Sequence, residues 1–281
     1  MAISNISRSV AKKLLAVETP EGAGALVRRS IGSEGLRNLS PFLLLDHFHV
    51  AQGAGFPDHP HRGQATVTYM LEGASRHEDS AGHKGTIEQG GVQYMVAGKA
   101  YHELGPEEIP TAYPQGQDGP VKIKVINGKS HGVESPAKPV GGCWYFHGIF
   151  NRKATIFQEI PEGWTSFIYI LKGNLKVGSD ETQQERFYNL VLSAKENETG
   201  VSVEATDDNT EFILVCFDSD VGCKQVVDNH QVAGAPLDQT VVQYGPFVMT
   251  TREEIQKTLL DYRMGLNGFE KAHTWKSIIG N

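Results

Sequence analysis

Two histidines one residue apart are the residues of this chain whose type and spacing most clearly suggest chemistry. His59 and His61 stand in the stretch PDHPHRG, with Pro60 between them. In an extended strand, side chains i and i+2 point to the same side, whereas in a helix they diverge by roughly 200°. Neutral imidazole is a common ligand for iron, zinc, copper and nickel. The stretch is therefore predicted to be a strand that carries half of a metal site; the alternative is a pair of surface or hydrogen-bonded histidines.

The composition limits the classes of function. The chain has 281 residues and a net charge of −7, which allows one large domain or two of ordinary size and disfavours binding to nucleic acid through overall charge. No stretch has the length and apolarity of a membrane span or of a secretory signal. The cysteines are too few for a disulfide framework and are interpreted as ordinary thiols in a reducing compartment. They are Cys143, Cys216 and Cys223.

The elements that must position the histidines are predicted to be strands. Short apolar stretches separated by Gly, Pro, Asn and Asp are typical of an all-β sandwich or barrel. One helix is predicted near the end of the chain, where Thr251 and Glu254 form a capping box and Gly265 follows REEIQKTLLDYRM. The predicted strands are ALVRRSIG, PFLLLDHFHV, ATVTYML, GTIEQGGVQYMVAG, VKIKVING, TSFIYILKGNLKVG, NLVLSA, GVSVEA and TEFILVCF.

An internal repeat divides this pattern into two. TVTYMLEG at 66–73 and SFIYILKG at 166–173 both carry Tyr in the fourth place and end in a charged residue and Gly. A further glycine precedes each copy by three residues. The chain is therefore predicted to contain two copies of one barrel-type unit.

The repeat also indicates which copy carries the chemistry. Where the first copy has His59 and His61, the second has Glu159 and Pro161. A metal site is therefore predicted in the N-terminal half.

Several longer segments resemble the pirin family of the cupin superfamily over nearly the whole chain. They are GFPDHPHRG, HEDSAGHKG, GGVQYMVAG, IPEGWTSFIYILKG, QYGPFVM and NGFEKAHTWKSIIGN. The resemblance implies an all-β protein of two tandem cupin-type jelly-roll barrels with a short C-terminal helix. It places an N-terminal barrel at about 1–130 and a C-terminal barrel at about 131–281.

The resemblance also implies a cofactor and a function. One Fe(II) ion would lie in the N-terminal barrel, and His59 and His61 match two of its ligands. The implied activity is that of a quercetin 2,3-dioxygenase, which opens the ring of a flavonol-like small molecule. The alternatives are a non-enzymatic, metal-dependent co-regulator that binds transcription-regulator proteins, and a metal-deficient variant. A monomer in nucleus and cytoplasm is expected, without direct nucleic-acid contact or membrane association.

The chain departs from the family pattern at the remaining ligands, which form a His-x-Glu shortly after QYMVAG. Here the sequence continues KAYHELGPEEIP, as if a segment with a barrel strand were missing between Gly98 and Tyr101. His102 and Glu103 are the available substitutes, but adjacent strand residues face opposite sides. His102 is the favoured third ligand, and Glu103 would need a turn to reach the same ion. Iron binding is therefore predicted to be weaker than in a complete pirin.

Further departures and candidates complete the sequence pattern. The stretch 216–232 has no counterpart in the family pattern and is predicted to be a surface loop; a gene-model or splicing irregularity would explain both departures. His77, Glu78 and His83 are predicted to form hydrogen bonds within a turn-rich loop. The pair at 47 and 49 repeats the His-x-His spacing, but the family pattern places only the later pair on iron.

Overall fold

The computed structural model describes residues 5–97, 100–137, 142–218 and 240–279 as strands joined by turns, with one helix among them. The first strands are β1 (Val10–Leu15), β2 (Glu18–Glu21), β3 (Ala23–Arg29), β4 (Asp46–Gly55), β5 (Ala65–Tyr69), β6 (Ala74–Glu78), β7 (Lys84–Glu88), β8 (Val92–Val96), β9 (Ala100–Leu104) and β10 (Thr111–Ala112). There follow β11 (Val121–Asn127), β12 (Lys129–Ser130), β13 (Val133–Glu134), β14 (Cys143–Phe150), β15 (Ala154–Glu159), β16 (Thr165–Lys172), β17 (Leu175–Val177), β18 (Asp180–Gln184), β19 (Tyr188–Leu192), β20 (Gly200–Ala205) and β21 (Thr210–Phe217). The last elements are β22 (Val242–Tyr244), β23 (Phe247–Met249) and α1 (Arg252–Met264).

The predicted strands are largely present, and three of them need correction. TSFIYILKGNLKVG divides at Gly173 into β16 and β17, which belong to different sheets. GTIEQGGVQYMVAG divides into β7 and β8, because Gly90 adopts a φ of 82° and Gly91 donates back to the Glu88 carbonyl at 2.8 Å. The stretch 41–45 before β4 is not strand, since Leu39 and Phe42 exchange two backbone hydrogen bonds that fold the chain back on itself.

Two sheets form the barrel of the second half. A seven-stranded sheet has the order β1-β19-β16-β21-β14-β11-β10, and a four-stranded sheet has the order β15-β20-β17-β18. Between them lies a cluster of buried side chains, with Phe146, Ile168 and Leu214 from the large sheet meeting Val201 and Val203 from the small one. This interior is filled by apolar groups, so the second barrel is a packed core.

The central strand β16 of the large sheet is buried on both faces. In β16, Ile168 and Ile170 point into the barrel, whereas Phe167 and Tyr169 pack against residues of the first half such as Ile31. A strand covered on both faces has no polar side, which explains why its sequence is continuously apolar rather than alternating.

The N-terminal segment is built into the second half. Strand β1 pairs with β19, and Arg8 is 0% exposed. Its guanidinium donates to the Ser166 hydroxyl at 2.9 Å and to the Pro161 carbonyl at 2.7 Å. Strands β10 and β11 join the same large sheet, so membership of the sheets does not follow chain order. The boundary at about residue 130 stays a prediction.

Backbone geometry agrees with the predicted repeat. Gly63 and Gly163 both adopt a φ of 78°, and the glycines that close the two copies, Gly73 and Gly173, have φ values of 71° and 70°. These left-handed conformations are accessible to glycine without steric cost. The two copies therefore share their turns as well as their strands.

The two copies contact each other through a crossed pair of hydrogen bonds. Tyr69 Oη lies 3.1 Å from His147 Nδ1, and Tyr169 Oη lies 3.3 Å from His47 Nδ1. His147 also contacts the carboxylate of Glu211 at 3.2 Å through Nε2, so its Nδ1 accepts from Tyr69. Burial raises the pKa of Tyr69 to about 12, which keeps this hydroxyl protonated. Each copy thus supplies a tyrosine to a histidine of the other.

The first half consists of smaller sheets, with the orders β2-β3-β4, β5-β8-β9 and β6-β7. Within the described part of the chain, β5 and β9 pair only with β8 and leave two open edges. The C-terminal elements pack beside these sheets, where Phe247, Ile255 and Phe269 form a separate apolar cluster. No helix in the described residues is long and apolar enough to span a membrane.

Candidate metal centre

The segment with His59 and His61 is a connection between β4 and β5, not the strand that its spacing predicts. Pro57 and Pro60 lack the N–H groups that a strand ladder needs, which accounts for the difference. The segment's ladder-like contacts in the described structure are an isolated parallel bridge between Arg62 and Phe247 and a backbone hydrogen bond from Ala97 N to the Gln64 carbonyl at 3.1 Å.

The two imidazoles nevertheless converge. Their ring centroids lie 4.6 Å apart at an interplanar angle of 64°. His59 Nδ1 donates to the Pro57 carbonyl at 2.7 Å, and the Gln64 amide nitrogen donates to His61 Nδ1 at 2.6 Å. A ring that donates through Nδ1, as His59 does, keeps Nε2 for a metal ion.

Electrostatics favours the metal-binding form of His61. Burial, and then the neighbouring His59, lower the pKa of His61 to about 4. The ring is therefore neutral at physiological pH, and neutral imidazole is the form that binds transition metals. His59 is exposed to solvent, so the pair is accessible from one side.

His102 and Glu103 lie side by side on β9, opposite Tyr94 and Gln93 of β8. As neighbours in a strand they face opposite sides, as the sequence predicts. The Glu103 carboxylate lies 2.5 Å from His77 Nε2. Gly85 makes room for this pair, since a β-carbon there would lie 2.8 Å from both side chains.

The structure therefore assembles half of the predicted ligand set. His59 and His61 come together, whereas Glu103 is engaged by His77. Among the described residues, no three His, Cys, Asp or Glu side chains are grouped so that they could hold a metal ion. The donors present fit two ligands of a divalent transition metal and do not supply a complete coordination shell. The ligand roles of His102 and Glu103 stay predictions.

The predicted hydrogen bonding of the neighbouring candidates is confirmed, but the predicted loop location is wrong for two of them. His83 Nδ1 bonds Asp79 Oδ2 at 2.7 Å in the turn between β6 and β7, as predicted for a loop residue. His77 and Glu78 belong to strand β6 rather than to a loop, because Arg76 and His77 pair with Thr86 and Gly85 across a regular hairpin. The first His-x-His pair contributes His47 to the contact with Tyr169.

Sequence reasoning missed the groups that surround the histidines. Gln64 orients His61, and Asp58 and Arg62 bond to C-terminal residues about 200 positions away. The polar residues next to the motif in the sequence indicate local hydrogen bonds such as that of Gln64. No local pattern predicts partners so distant in sequence. The predicted surface loop 216–232 begins too early, because residues 216 and 217 are buried in β21; residues 219–232, like residues 98–99 at the predicted break, lie outside the described residues.

Comparison with known proteins agrees with this architecture. Residues 24–113 match the family model for Pirin, and residues 227–268 match that for the Pirin C-terminal cupin domain. Pirin from Homo sapiens is 39% identical, with 98% of this chain and 99% of that protein aligned. A pirin-like protein from Solanum lycopersicum is 38% identical over 99% of this chain and 100% of that protein. The human alignment extends over 311 positions although this chain has 281 residues, so this chain lacks residues that its relative has.

Solved structures share the fold. A quercetin 2,3-dioxygenase from Acinetobacter baumannii is 24% identical and has a TM-score of 0.76, covering 92% of this chain and 98% of that one. The bacterial pirin YhhW from Escherichia coli, solved in complex with nickel(II), is 15% identical with a TM-score of 0.54, over 73% of this chain and 98% of that one. These neighbours confirm the predicted cupin-type architecture. With curated relatives this similar along nearly its whole length, the chain belongs to the pirin family.

Proposed function

We propose that this protein binds one divalent transition metal ion, Fe(II) in the cell, through the imidazoles of His59 and His61. The observation that carries the proposal is the convergence of the two rings, whose centroids lie 4.6 Å apart, together with the Nδ1 donation of His59, which keeps its Nε2 for the metal. Water completes the coordination shell, because no third side chain is grouped with this pair in the described residues. Without a carboxylate, binding is weaker than at a site with a complete ligand set.

Metal affinity tests this proposal directly. The chain, His59→Ala and His61→Ala are reconstituted anaerobically with Fe(II), and bound metal is measured after gel filtration. Either substitution is expected to lower the affinity at least tenfold. His49→Ala is the matched control, since His49 is an exposed member of the other His-x-His pair. Equal metal content in all four proteins would place the metal elsewhere.

A second arm tests the missing segment. Insertion of a family-type segment with His-x-Glu between Gly98 and Tyr101 is expected to increase the affinity for Fe(II), since it adds an imidazole and a carboxylate. If the unmodified chain already holds one tightly bound iron and the insertion adds nothing, His102 and Glu103 must act as ligands in a way that β9 as described does not provide.

The activity proposed for this centre is quercetin 2,3-dioxygenase activity, the oxygenation that opens a flavonol ring. The similarity of the fold to the Acinetobacter baumannii protein of that name supports it. The bound metal would supply coordination sites for the flavonol and for O₂. The iron-loaded protein is expected to remove flavonol absorbance in air, with loss of the activity in His61→Ala. Unchanged absorbance with the iron-loaded protein would show that the protein binds metal but lacks this activity.

A non-enzymatic role is supported by the incomplete grouping of ligands and by the net charge of −7. A protein with this charge is better suited to a protein partner than to DNA. In this alternative the chain is a monomer of nucleus and cytoplasm that contacts a transcription-regulator protein when metal is bound. If the metal-loaded protein and His59→Ala capture one such regulator equally well, the interaction does not depend on the metal.

A further inference from the structure

The connection that carries His59 and His61 is held by the C-terminal part of the chain. Val248 N donates to the Arg62 carbonyl at 3.0 Å, and Arg62 N approaches the Pro246 carbonyl at 3.5 Å. Gly63 permits this approach, since a β-carbon there would lie 1.9 Å from the Val248 oxygen. The backbone beside His61 is thus closed against β23.

The Arg62 side chain fixes the same segment to α1. Its guanidinium lies 2.9 Å from the Asp261 carboxylate and 3.3 Å from the Thr258 hydroxyl, and it also donates to the Asn267 carbonyl. The guanidinium carbon lies 4.1 Å from the ring centroid of Phe269. Asp261 and Thr258 are buried, so this is an arginine in a fixed geometry rather than a solvated surface charge.

The other side of the histidine pair is held by the last described residues. Ser277 N donates to Asp58 Oδ2 at 3.0 Å, and Ile278 N donates to Glu78 Oε2 at 2.9 Å. Two successive backbone groups therefore connect the residue before His59 to the end of strand β6.

We infer that residues 246–278 act as a positioning clamp for the histidine pair, with Asp58 and Arg62 as the positioning residues through which the clamp acts. The inference rests on the proposed metal centre and deepens it. His59 and His61 lie between the two clamped residues, in a connection that has no strand ladder of its own. Fixed C-terminal partners on both sides reduce the freedom of the rings before metal binds, and loss of such supporting contacts commonly lowers metal affinity 10- to 100-fold.

The experiment compares Arg62→Lys, Asp261→Asn and their double variant with the unmodified chain. Arg62→Lys keeps the charge but removes the planar guanidinium group. Arg263→Lys, an exposed position of the same helix, is the matched control. Two readouts are measured on each protein: Ni(II) affinity by calorimetry, and amide hydrogen exchange of peptides that cover residues 57–64.

Both single substitutions are expected to weaken Ni(II) binding about tenfold and to accelerate exchange in 57–64. The double variant is expected to be little worse than either single one, because both remove the same contact. Arg263→Lys should leave both readouts unchanged. A chain that ends at Lys276 tests the second contact and should also accelerate exchange around Asp58.

Two results separate this inference from the proposed function. If the unmodified chain binds no Ni(II) but Arg62→Lys and Asp261→Asn accelerate exchange in 57–64, the metal centre is wrong and the clamp stands. If Ni(II) binds and the variants lower only the unfolding temperature, with affinity and exchange unchanged, Arg62 has a merely structural role and the clamp is overturned.

Discussion

His61 couples the stability of the first half to pH. Burial holds its pKa at about 4 in the folded protein, against 6.5 for an unperturbed histidine. Between these values the unfolded chain binds the extra proton, so the stabilisation linked to neutral His61 is complete above pH 6.5 and is lost as the pH falls toward 4. Urea unfolding of the metal-free protein should therefore show stability decreasing over this range.

The substitution His61→Gln isolates this contribution, because glutamine does not titrate. Its stability is expected to fall less steeply than that of the unmodified chain between pH 6.5 and 4, the interval given by the shifted pKa. Parallel curves for the two proteins would show that His61 is already as accessible to protons as in the unfolded chain.

Two glycines with the same backbone conformation offer a matched pair of substitutions. Gly63 and Gly163 share a φ of 78°, so alanine at either position adopts an unfavourable left-handed conformation that costs about 1 kcal/mol. At Gly163 a β-carbon meets nothing within 4 Å, whereas at Gly63 it would lie 1.9 Å from the Val248 oxygen.

Gly63→Ala is therefore expected to destabilise the protein more than Gly163→Ala, by about 1 to 3 kcal/mol beyond the shared backbone cost. Chemical denaturation of both variants measures the difference. An equal loss would show that β23 moves away from the histidine segment at little cost.

At the level of elements, capping contacts fix both ends of α1. The Thr251 hydroxyl accepts from Glu254 N, the Glu254 carboxylate accepts from Thr251 N at 3.0 Å, and Gly265 closes the helix with a φ of 65°. Thr251→Ala removes one of these contacts and is expected to lower the free energy of unfolding by about 1 kcal/mol. Thr274→Ala, at an exposed position beyond the helix, is the control and should change it by less than about 0.5 kcal/mol.

The elements that local patterns determine could be predicted from the sequence. Strands β20 and β21 coincide with GVSVEA and TEFILVCF, and α1 coincides with REEIQKTLLDYRM. Turn glycines and the capping box act over a few residues, so their signals are visible in short windows. The convergence of His59 and His61 was likewise expected, although the proline-containing segment is not a strand.

Contacts between distant elements were not predictable in this way. The pairing of β1 with β19 and the contact between Arg62 and Asp261 depend on tertiary packing, which leaves no periodicity in either segment. The environment of Glu103 was missed for the same reason, because His77 reaches it from a separate hairpin. Local rules correctly placed His102 and Glu103 on opposite sides of a strand, but they could not identify the partner on either side.

At the scale of the whole molecule, the crossed tyrosine–histidine pairs join the two copies. Tyr69→Phe leaves the mostly buried His147 Nδ1 without its tyrosine partner, and Tyr169→Phe does the same for His47. Each substitution is expected to lower the free energy of unfolding by about 1 kcal/mol, the usual effect of a lost internal hydrogen bond.

Tyr244→Phe is the control for both variants, since Tyr244 is 61% exposed. Thermal unfolding and denaturant titration measure the three proteins side by side. A loss for Tyr244→Phe as large as for the two interface variants would show that the crossed pairs do not hold the copies together.

The exchange of the two chain ends between the halves has a consequence for biosynthesis. Residues around Arg8 leave the ribosome early, yet their partners in β16 and β19 follow more than 150 residues later. The segment with His59 and His61 can reach its final position only after Asp261 and Ser277 have been made, about 200 residues later. The second half has all its strands once β21 has been made, whereas the first half still lacks its C-terminal partners, so a nascent chain with β21 outside the ribosome should remain protease-sensitive in the first half. Maturation of the first half then depends on the docking of residues 240–279, and until they dock chaperones have access to the unfinished first half.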